Sequence, residues 1–413
     1  MRNDRNEGGR RIPVRADRAP QGSGAEGGSR VGLQALIFFL VSSAFLTIYI
    51  PQPVLPVIRA EFGVSESYAS LSVSAVIFGI ALATLPFGRL VDAFPVRPLL
   101  FAGGAVVVGC SLFCAVTGSL PLLVAARFLQ GLFIPSLTTC LVVYLARSLP
   151  LERLNVLMGS YVSATVAGGL GGRLLGGWIH PPLHWRYAFL TASALLAAAI
   201  LAAARWLPGE EGKADPVGEK TGFLVLLSRR ELLRTYLVAF GAFFVFSSIF
   251  NYLPFYLAGP PFRASTQVIT LLYLSYVVGM VIGPLAGNLS DRIGNGATIA
   301  LGSGAFALAI LVTLLPSMIA IMASLAGVCA GFFAVHAAAA GSLNRRLTAG
   351  RGRANSLYVL FYYLGGSIGI TVSGHAYGHG GWRMVAAIGI LMLGTTFAAG
   401  IAEMRAEANF PKR

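Results

Sequence analysis

The chain has 413 residues, of which 56% are hydrophobic and 11% charged, and its formal net charge is +15. A single soluble core does not grow to this size with so few charged residues, so the composition excludes an ordinary soluble protein. A basic chain can bind nucleic acid, but here the basic residues are distributed as in a membrane protein.

Long apolar runs follow one another along the chain, and we count twelve of them. An α-helix needs roughly 20 apolar residues to cross a bilayer, and in lipid the backbone has to satisfy its own hydrogen bonds. The predicted spans are 33–57, 69–87, 98–116, 120–146, 155–179, 186–206, 233–257, 267–287, 297–315, 318–341, 354–377 and 382–402. The sequence therefore predicts an all-α membrane protein with 12 transmembrane helices.

The basic residues divide unequally between the two sides of these spans. With the N-terminus in the cytoplasm, 25 of the 31 lysines and arginines lie on the cytoplasmic side, four lie outside, and Arg127 and Arg173 lie within spans. Such an excess follows the positive-inside rule and requires an even number of spans. We predict a multi-pass protein with both termini in the cytoplasm, whose partner is the lipid bilayer and not nucleic acid.

Polar stretches divide the chain into two halves. Residues 1–30, rich in Arg, Gly and Ser, are predicted to be a disordered cytoplasmic tail, and residues 208–230 a cytoplasmic linker. We expect one six-helix bundle at 31–207, a second at 231–403, and a short cytoplasmic tail at 404–413.

Short motifs recur in the two halves at nearly constant spacing. The pairs are Gly88–Asp92 with Gly287–Arg292, Trp185-Arg186 with Trp382-Arg383, and Tyr49-Ile50-Pro51 with Tyr252-Leu253-Pro254. Repeated halves with a long linker are typical of transporters that work by alternating access.

Both halves carry a charged turn between their second and third spans. A carboxylate there can accept backbone N–H groups at a helix N-terminus and pair with an arginine across the interface between the halves. We predict that these turns are gating elements and not substrate ligands; the alternative is that their aspartates are ordinary solvated loop acids. The gating set is Gly88, Asp92, Arg97, Gly287, Asp291 and Arg292.

These motifs carry a family resemblance. The first turn resembles the G-x-x-x-D-x-x-G-R/K motif of the major facilitator superfamily, with Pro95 where the later glycine is usual, and Arg127–Gly131 resembles the family's R-x-x-x-G motif. Segments 331–336 and 360–365 are most similar to bacterial inner-membrane permeases of the sugar- or drug-efflux type. The resemblance implies two pseudo-symmetric six-helix bundles and proton-coupled export; we also expect a monomer.

Arg127 lies about 10 Å below the outer interface of the fourth span, at 1.5 Å per residue. Burying an ionisable residue unpaired is costly, so one at this depth is a candidate for function. The alternative is that it snorkels to the outer surface. The resemblance implies a place near the central cavity and a part in proton or substrate coupling; Gln130 of the same span is a candidate for lining that cavity.

The fifth span is dense in glycine and contains Arg173. It resembles the family's antiporter motif G-P-x-x-G-G, with Arg173 where proline is usual. Its small residues allow close helix packing, and the packing candidates are Gly168, Gly172, Gly176 and Gly177. Arg173 is either a substrate or coupling residue or a structural arginine bonded to neighbouring carbonyls.

His336 lies deep in the tenth span beside Phe332 and Phe333. A histidine there can change charge near neutral pH and carry the coupling proton, or it can remain neutral and donate one hydrogen bond. Gln52 and Asn251, at the ends of the first and seventh spans, are further candidates for lining the cavity.

No P-loop, HExxH, GxSxG or CxxC motif is present, so nothing predicts an enzyme, a metal site or a cofactor. None of the 16 acidic residues lies within a predicted span. Two hypotheses remain: proton-linked efflux of a small organic solute, from the resemblance, and uptake or exchange of an organic anion bound by Arg127 and Arg173, from charge complementarity. A transporter-like sensor is a minor third, since the polar segments are short for a signalling domain.

Overall fold

The computed structural model describes residues 23–148, 151–207, 222–347 and 350–408, without the side chains of 23–31, 92, 146–148 and 151–156. Within these ranges the chain is helical and has no β-strand. The helices are α1 (Ser23–Tyr49), α2 (Leu55–Phe62), α3 (Glu66–Ala93), α4 (Val96–Val116), α5 (Leu120–Ser148), α6 (Leu151–Ile179), α7 (Arg186–Trp206), α8 (Phe223–Ser228), α9 (Arg230–Ala258), α10 (Thr266–Leu272), α11 (Tyr276–Ile293), α12 (Asn295–Val312), α13 (Met318–Arg345) and α14 (Arg351–Ala408).

Ten helical segments of the described chain are long and apolar enough to cross a membrane. The glycine-rich α6, which carries Arg173, is not among them. The 58-residue α14 counts once, although Gly380 and Gly381 have non-helical backbone angles and divide it in two. Counting α6 and both parts of α14 would give the predicted twelve spans, and that number stays a prediction.

Two spans predicted as single helices are broken. The first ends as α1 at Tyr49, passes through the 3₁₀ turn Gln52–Val54 and resumes as α2; the eighth is divided by the turn Tyr273–Ser275 into α10 and α11. Pro51 explains the first break, because proline lacks a backbone N–H and its ring clashes with the preceding turn.

The helices pack as two bundles, here called the first half (α1–α7) and the second half (α8–α14). In the first half α1 packs on α6 and α7, and α5 packs on α3 and α4; in the second half α9 packs on α14 and α13, and α12 on α13 and α14. Between the halves, α3 packs on α14 and α6 on α10. We call the ends of the helices where α1 begins and α14 ends the tail side, and the opposite ends the far side.

The predicted domain limits remain predictions. Residues 1–22, 208–221 and 409–413 lie outside the described residues. The helix α1 begins at Ser23, inside the segment predicted to be a tail, and α8 lies inside the segment predicted to be a linker.

Glycines set the helix spacing inside each half. A Cβ atom on Gly168, Gly172 or Gly176 would lie less than 3.0 Å from the backbone at Ser42 and Leu46 of α1 and at Ile50 just after it, respectively. The second half repeats this arrangement, with Gly365 and Gly369 of α14 against Phe240 and Phe244 of α9. The backbones of the first and fifth spans of each half therefore approach more closely than a side chain would allow.

Two carboxylates near the end of α14 tie the tail side of the second half together. Glu403, 3% exposed, accepts hydrogen bonds from Arg346 and from Ser342 Oγ at 2.8 Å, and lies 3.5 Å from Arg234 Nη1. Glu407 accepts the backbone N–H groups of Asn295 and Gly296 at 3.1 and 3.2 Å. It therefore caps the first turn of α12, where a negative charge is favourable.

Candidate functional site

Arg127 is fully enclosed in the first half, with 0% of its side chain exposed. Its Nε donates to the Ser72 carbonyl oxygen at 2.8 Å, and Nη1 donates to the Thr47 carbonyl oxygen at 2.7 Å. Nη2 donates to the carbonyl oxygen of Ile48. The guanidinium therefore joins α5 to α1 and α3, and it does not snorkel.

The break in α1 provides the acceptors for Arg127. In a continuous helix the N–H of residue 51 would bond the Thr47 carbonyl, but Pro51 has none. Arg127 supplies the missing donor. Gln130 completes the arrangement, because its Oε1 accepts from Arg127 Nη1 at 2.5 Å and its Nε2 donates to the Val107 carbonyl at 3.4 Å. Both residues connect helices within one half.

Arg173 lies where the two halves meet. Its guanidinium carbon is 3.9 Å from the ring centre of Tyr49 in the first half and 4.4 Å from that of Tyr276 in the second. Tyr273, also in the second half, is 5.5 Å away. All three distances are within the range of cation–π attraction, so one positive charge is shared between rings of both halves.

The hydrogen bonds of Arg173 stay within the first half. Nε donates to Gln52 Oε1 and Nη1 to the Gly169 carbonyl oxygen, both at 2.7 Å. The hydroxyl of Tyr49, also in the first half, forms a further hydrogen bond with the guanidinium. The structure therefore brings Gln52, Tyr49 and Arg173 together.

Asn251 belongs to a far-side seal between the halves. Its Nδ2 donates to Ser70 Oγ at 2.8 Å, and Ser367 Oγ donates to the Ser74 carbonyl at 3.1 Å. Glycines bring the halves close elsewhere in the seal: Gly177 abuts Thr270, and Gly374 abuts Ser67. These contacts hold the two halves together on the far side.

His336 lies in the second half and bonds a tyrosine. Its Nδ1 is 3.0 Å from the Tyr358 hydroxyl, and its ring packs on those of Phe332 and Tyr362, with centres 5.9 and 5.2 Å apart. The side chains of His336 and Tyr362 are partly exposed.

Tyrosines from both halves lie close to one another near Arg173 and His336. This central tyrosine cluster consists of Tyr49 and Tyr161 of the first half and of Tyr276, Tyr358, Tyr362 and Tyr363 of the second. Sequence reasoning did not select these residues. Tyr49 and Tyr362-Tyr363 do occur in motifs used for the repeat and the family resemblance, which was the available signal.

A stack of phenylalanines supports the cluster from the second half. The rings of Phe246 and Phe332 are stacked with centres 3.8 Å apart, and Phe246 and Phe250 pack on Tyr276 at 5.3 and 4.7 Å. Such buried ring contacts fix side-chain positions. The stack therefore links the surroundings of Arg173 to those of His336 through packed rings.

Asp291 and Arg97 of the charged turns form hydrogen bonds within their own halves, whereas Arg89 of the first turn lies 5.7 Å from the centre of the Phe223 ring in the second half. Asp291 pairs with Arg345 of α13 at 3.0 Å, and Arg97 Nη2 donates to the Ala204 carbonyl of α7 at 3.4 Å. The side chain of Asp92 lies outside the described residues. Gly88 and Gly287 have open space where a Cβ would be, and Arg292 is exposed. The pairing of Asp291 is thus not across the interface in this state.

No group of three or more His, Cys, Asp or Glu side chains that could hold a metal ion occurs among the described residues. The cysteines Cys110, Cys114, Cys140 and Cys329 are free and buried. The described part of the interior presents arginine, histidine and tyrosine groups suited to binding a polar organic solute.

The sequence matches the family model of the Major Facilitator Superfamily over residues 37–339 and 261–408. The chain belongs to this superfamily. It is 31% identical to the inner membrane transport protein YnfM of Escherichia coli (strain K12) over 360 residues, covering 85% of each protein. It is 26% identical to an uncharacterized MFS-type transporter, YybF, of Bacillus subtilis (strain 168), covering 80% of this chain and 83% of that one.

The fold is similar to a solved structure of the same kind. A bacterial homolog of the human lysosomal transporter Spinster, in an inward-facing and unoccupied conformation, matches with a TM-score of 0.72 and 16% identity, over 95% of this chain and 100% of that one. The protein therefore has the two-bundle major facilitator fold. It is a multi-pass membrane protein, and its family moves small solutes across membranes.

Proposed function

We propose that this protein is a secondary active transporter of the bacterial inner membrane, which exports a small organic solute by alternating access and is driven by protons. The observation that supports it is the site shared between the halves, where Arg173 and Tyr49 meet Tyr276. A solute held by groups from both halves changes its contacts when the halves rock. In this proposal the protein works as a monomer, with its tail side in the cytoplasm.

His336 supports the proton as the coupling ion. An imidazole can gain or lose a proton more readily than the other side chains of this region, and the ring of His336 bonds the Tyr358 hydroxyl at 3.0 Å. A proton that enters or leaves the imidazole would change the charge beside the solute. That change would link solute binding to proton movement.

Proteoliposomes with an imposed proton gradient test this role. His336→Gln should abolish gradient-driven accumulation of the solute while leaving exchange of solute for solute. The matched control is His375→Gln, because His375 is an exposed histidine just before the break of α14 at Gly380. Unchanged gradient-driven transport in His336→Gln would overturn the proposed role of this residue.

The second candidate function is uptake or exchange of an organic anion. Arg173 favours it, because its guanidinium lies between the halves and has no acidic partner among the described residues. Arg127 contributes less to this candidate than the sequence suggested, since it is enclosed and bonded to carbonyl groups. The anion hypothesis therefore rests on Arg173.

Thermal unfolding of the purified protein distinguishes the candidates. A ligand that binds only the folded state raises the unfolding midpoint by mass action. Matched panels of organic carboxylates, organic cations and neutral sugars are compared on the wild type and on Arg173→Gln. Stabilisation by carboxylates that disappears in Arg173→Gln supports the anion candidate. Stabilisation by cations or sugars that is equal in both proteins supports export of a different solute and excludes Arg173 as its ligand.

A further inference from the structure

We infer that His375 and His379 form a binding site for a divalent transition metal ion, such as Zn²⁺, on the far side of the protein. The two residues lie in α14, just before its break at Gly380–Gly381. The site is separate from the cluster around Arg173, and it does not depend on which solute is transported or which ion drives transport.

The positions of the two histidines along the helix are the first argument. They are four positions apart in a helical segment, and both side chains are exposed. Residues at i and i+4 lie on one face of a helix, with their Cβ atoms about 5–6 Å apart. The two zinc-binding histidines of an HExxH helix have the same spacing. One ion can therefore be held between His375 and His379.

The hydrogen bonds of the two rings determine which nitrogen is available to the ion. His375 Nδ1 is 3.0 Å from the carbonyl oxygen of Thr371, and His379 Nδ1 is 2.7 Å from that of His375. A carbonyl oxygen can only accept, so Nδ1 carries the hydrogen on both rings, and Nε2 of the neutral imidazole keeps its lone pair. Metal-binding histidines commonly have this arrangement, in which the second ring nitrogen donates to a backbone carbonyl.

The ligands determine the class of metal. Imidazole nitrogen suits Zn²⁺, Ni²⁺ and Cu²⁺, whereas Mg²⁺ and Ca²⁺ prefer oxygen ligands. Because no third His, Cys, Asp or Glu joins the pair among the described residues, water completes the coordination of the ion. The pair has the spacing of HExxH without its Glu, which acts as the general base of metalloproteases. The arrangement therefore favours binding of a metal ion and not catalysis.

The place of the pair in the fold gives a bound ion a local effect. Gly374, directly before His375, abuts Ser67 of α3 in the far-side seal. Directly after His379 the helix loses its regular geometry, at Gly380–Gly381. An ion that joins the two histidines stabilises the helical turn between these two places. We expect it to slow hydrogen exchange of the backbone N–H groups of this turn.

Titration calorimetry with ZnCl₂ tests the site on the full-length protein, purified without a polyhistidine tag. The wild type should bind one Zn²⁺ ion, and His375→Gln and His379→Gln should each weaken this binding by about tenfold or more. MgCl₂ should give no heat of binding. In the presence of EDTA both variants should unfold like the wild type, because the two side chains are exposed. The comparison of His375→Gln with the wild type in the proton-gradient test is likewise made with EDTA present.

The matched control is His184→Gln. His184 is exposed, and its Nε2 lies 3.4 Å from Glu61 Oε2, so these two side chains are a competing pair of ligands. The control should bind Zn²⁺ like the wild type. Loss of binding in His184→Gln alone would place the ion at His184 and Glu61 and overturn the inference. A wild type that binds no Zn²⁺ would overturn it as well.

Hydrogen–deuterium exchange gives a second measurement of where the ion is bound. Zn²⁺ should slow the exchange of residues 375–379 in the wild type and leave it unchanged in His379→Gln. Binding of Zn²⁺ without slower exchange in this segment would contradict the placement of the ion between the two histidines.

Discussion

Arg127 donates to the carbonyl oxygen of Thr47, at 2.7 Å, the carbonyl that Pro51 leaves without a helical donor. One buried arginine thus supplies the hydrogen-bond donor that the broken first span lacks. In the second half a tyrosine hydroxyl supplies the corresponding donor. Pro254 lies inside α9, and the Phe250 carbonyl four residues earlier accepts the Tyr273 hydroxyl at 3.1 Å.

Replacing Arg127 should destabilise the protein. Arg127→Leu leaves the Thr47 and Ile48 carbonyls buried without donors, and each unsatisfied group costs about 1–3 kcal/mol. We expect a clearly lower unfolding midpoint in detergent, with a smaller loss in Arg127→Lys. A variant that unfolds like the wild type but no longer transports would instead show that Arg127 acts on the solute or the proton.

Neighbouring glycines of α6 should respond oppositely to alanine. A Cβ on Gly172 would lie less than 3.0 Å from the Leu46 backbone, whereas one on Gly171 meets its nearest atom, Leu46 Cδ1, at 3.9 Å. Gly172→Ala should cost about 1–3 kcal/mol through overpacking. Gly171→Ala should be neutral or slightly stabilising, since alanine favours helix. Chemical unfolding of both variants tests this, and equal losses would contradict the close packing of α6 on α1.

Two ion pairs of the second half should differ in how much they contribute to the free energy of unfolding. Glu403→Gln removes a buried carboxylate that bonds Arg346 and Ser342, and we expect a loss of about 2–4 kcal/mol. Asp291→Asn breaks a pair whose side chains are 68% and 52% exposed, so the loss should stay below about 1 kcal/mol. Unfolding at low and high salt measures both, and a larger effect of Asp291→Asn would refute this ranking.

A disulfide across the far-side seal should stop transport. Asn251→Cys with Ser70→Cys joins the halves where the native side chains are 2.8 Å apart. Gln34→Cys with Ser160→Cys joins α1 to α6 within the first half, across a 2.6 Å hydrogen bond, and serves as the control. Oxidation should block transport by the Asn251→Cys, Ser70→Cys variant and leave transport by the control variant unchanged. Reduction of the disulfide should restore transport by the first variant. Continued transport by the oxidised first pair would mean that the seal does not open during the cycle.

The sequence predicted the helical class, because apolar runs of spanning length allow few other structures. The number of twelve spans stays a prediction. It did not predict which helices break. Pro51 and Pro254 occupy equivalent places in a repeated Tyr-x-Pro motif, yet only the first interrupts its helix. The difference depends on partners that are distant in sequence, Arg127 for one carbonyl and Tyr273 for the other.

The candidate site could be predicted in part. Arg173 and Gln52 were selected because polar groups are rare in spans, and the structure joins them at 2.7 Å. Tyr276 was missed, because tyrosine is common in membrane helices and only the three-dimensional fold brings its ring to 4.4 Å from the guanidinium. The ligand roles of Arg173, His336 and Asn251 stay predictions until transport is measured.

The two carboxylates near the end of α14 determine where the protein can be shortened or tagged. Glu403 and Glu407 bind the end of α14 to α9, α12 and α13. A chain shortened before residue 403 would lose these contacts and leave Arg346 without its buried partner. Affinity tags and fluorescent reporters therefore belong after Ala408, and a truncation screen for crystallisation has to keep the whole of the last helix.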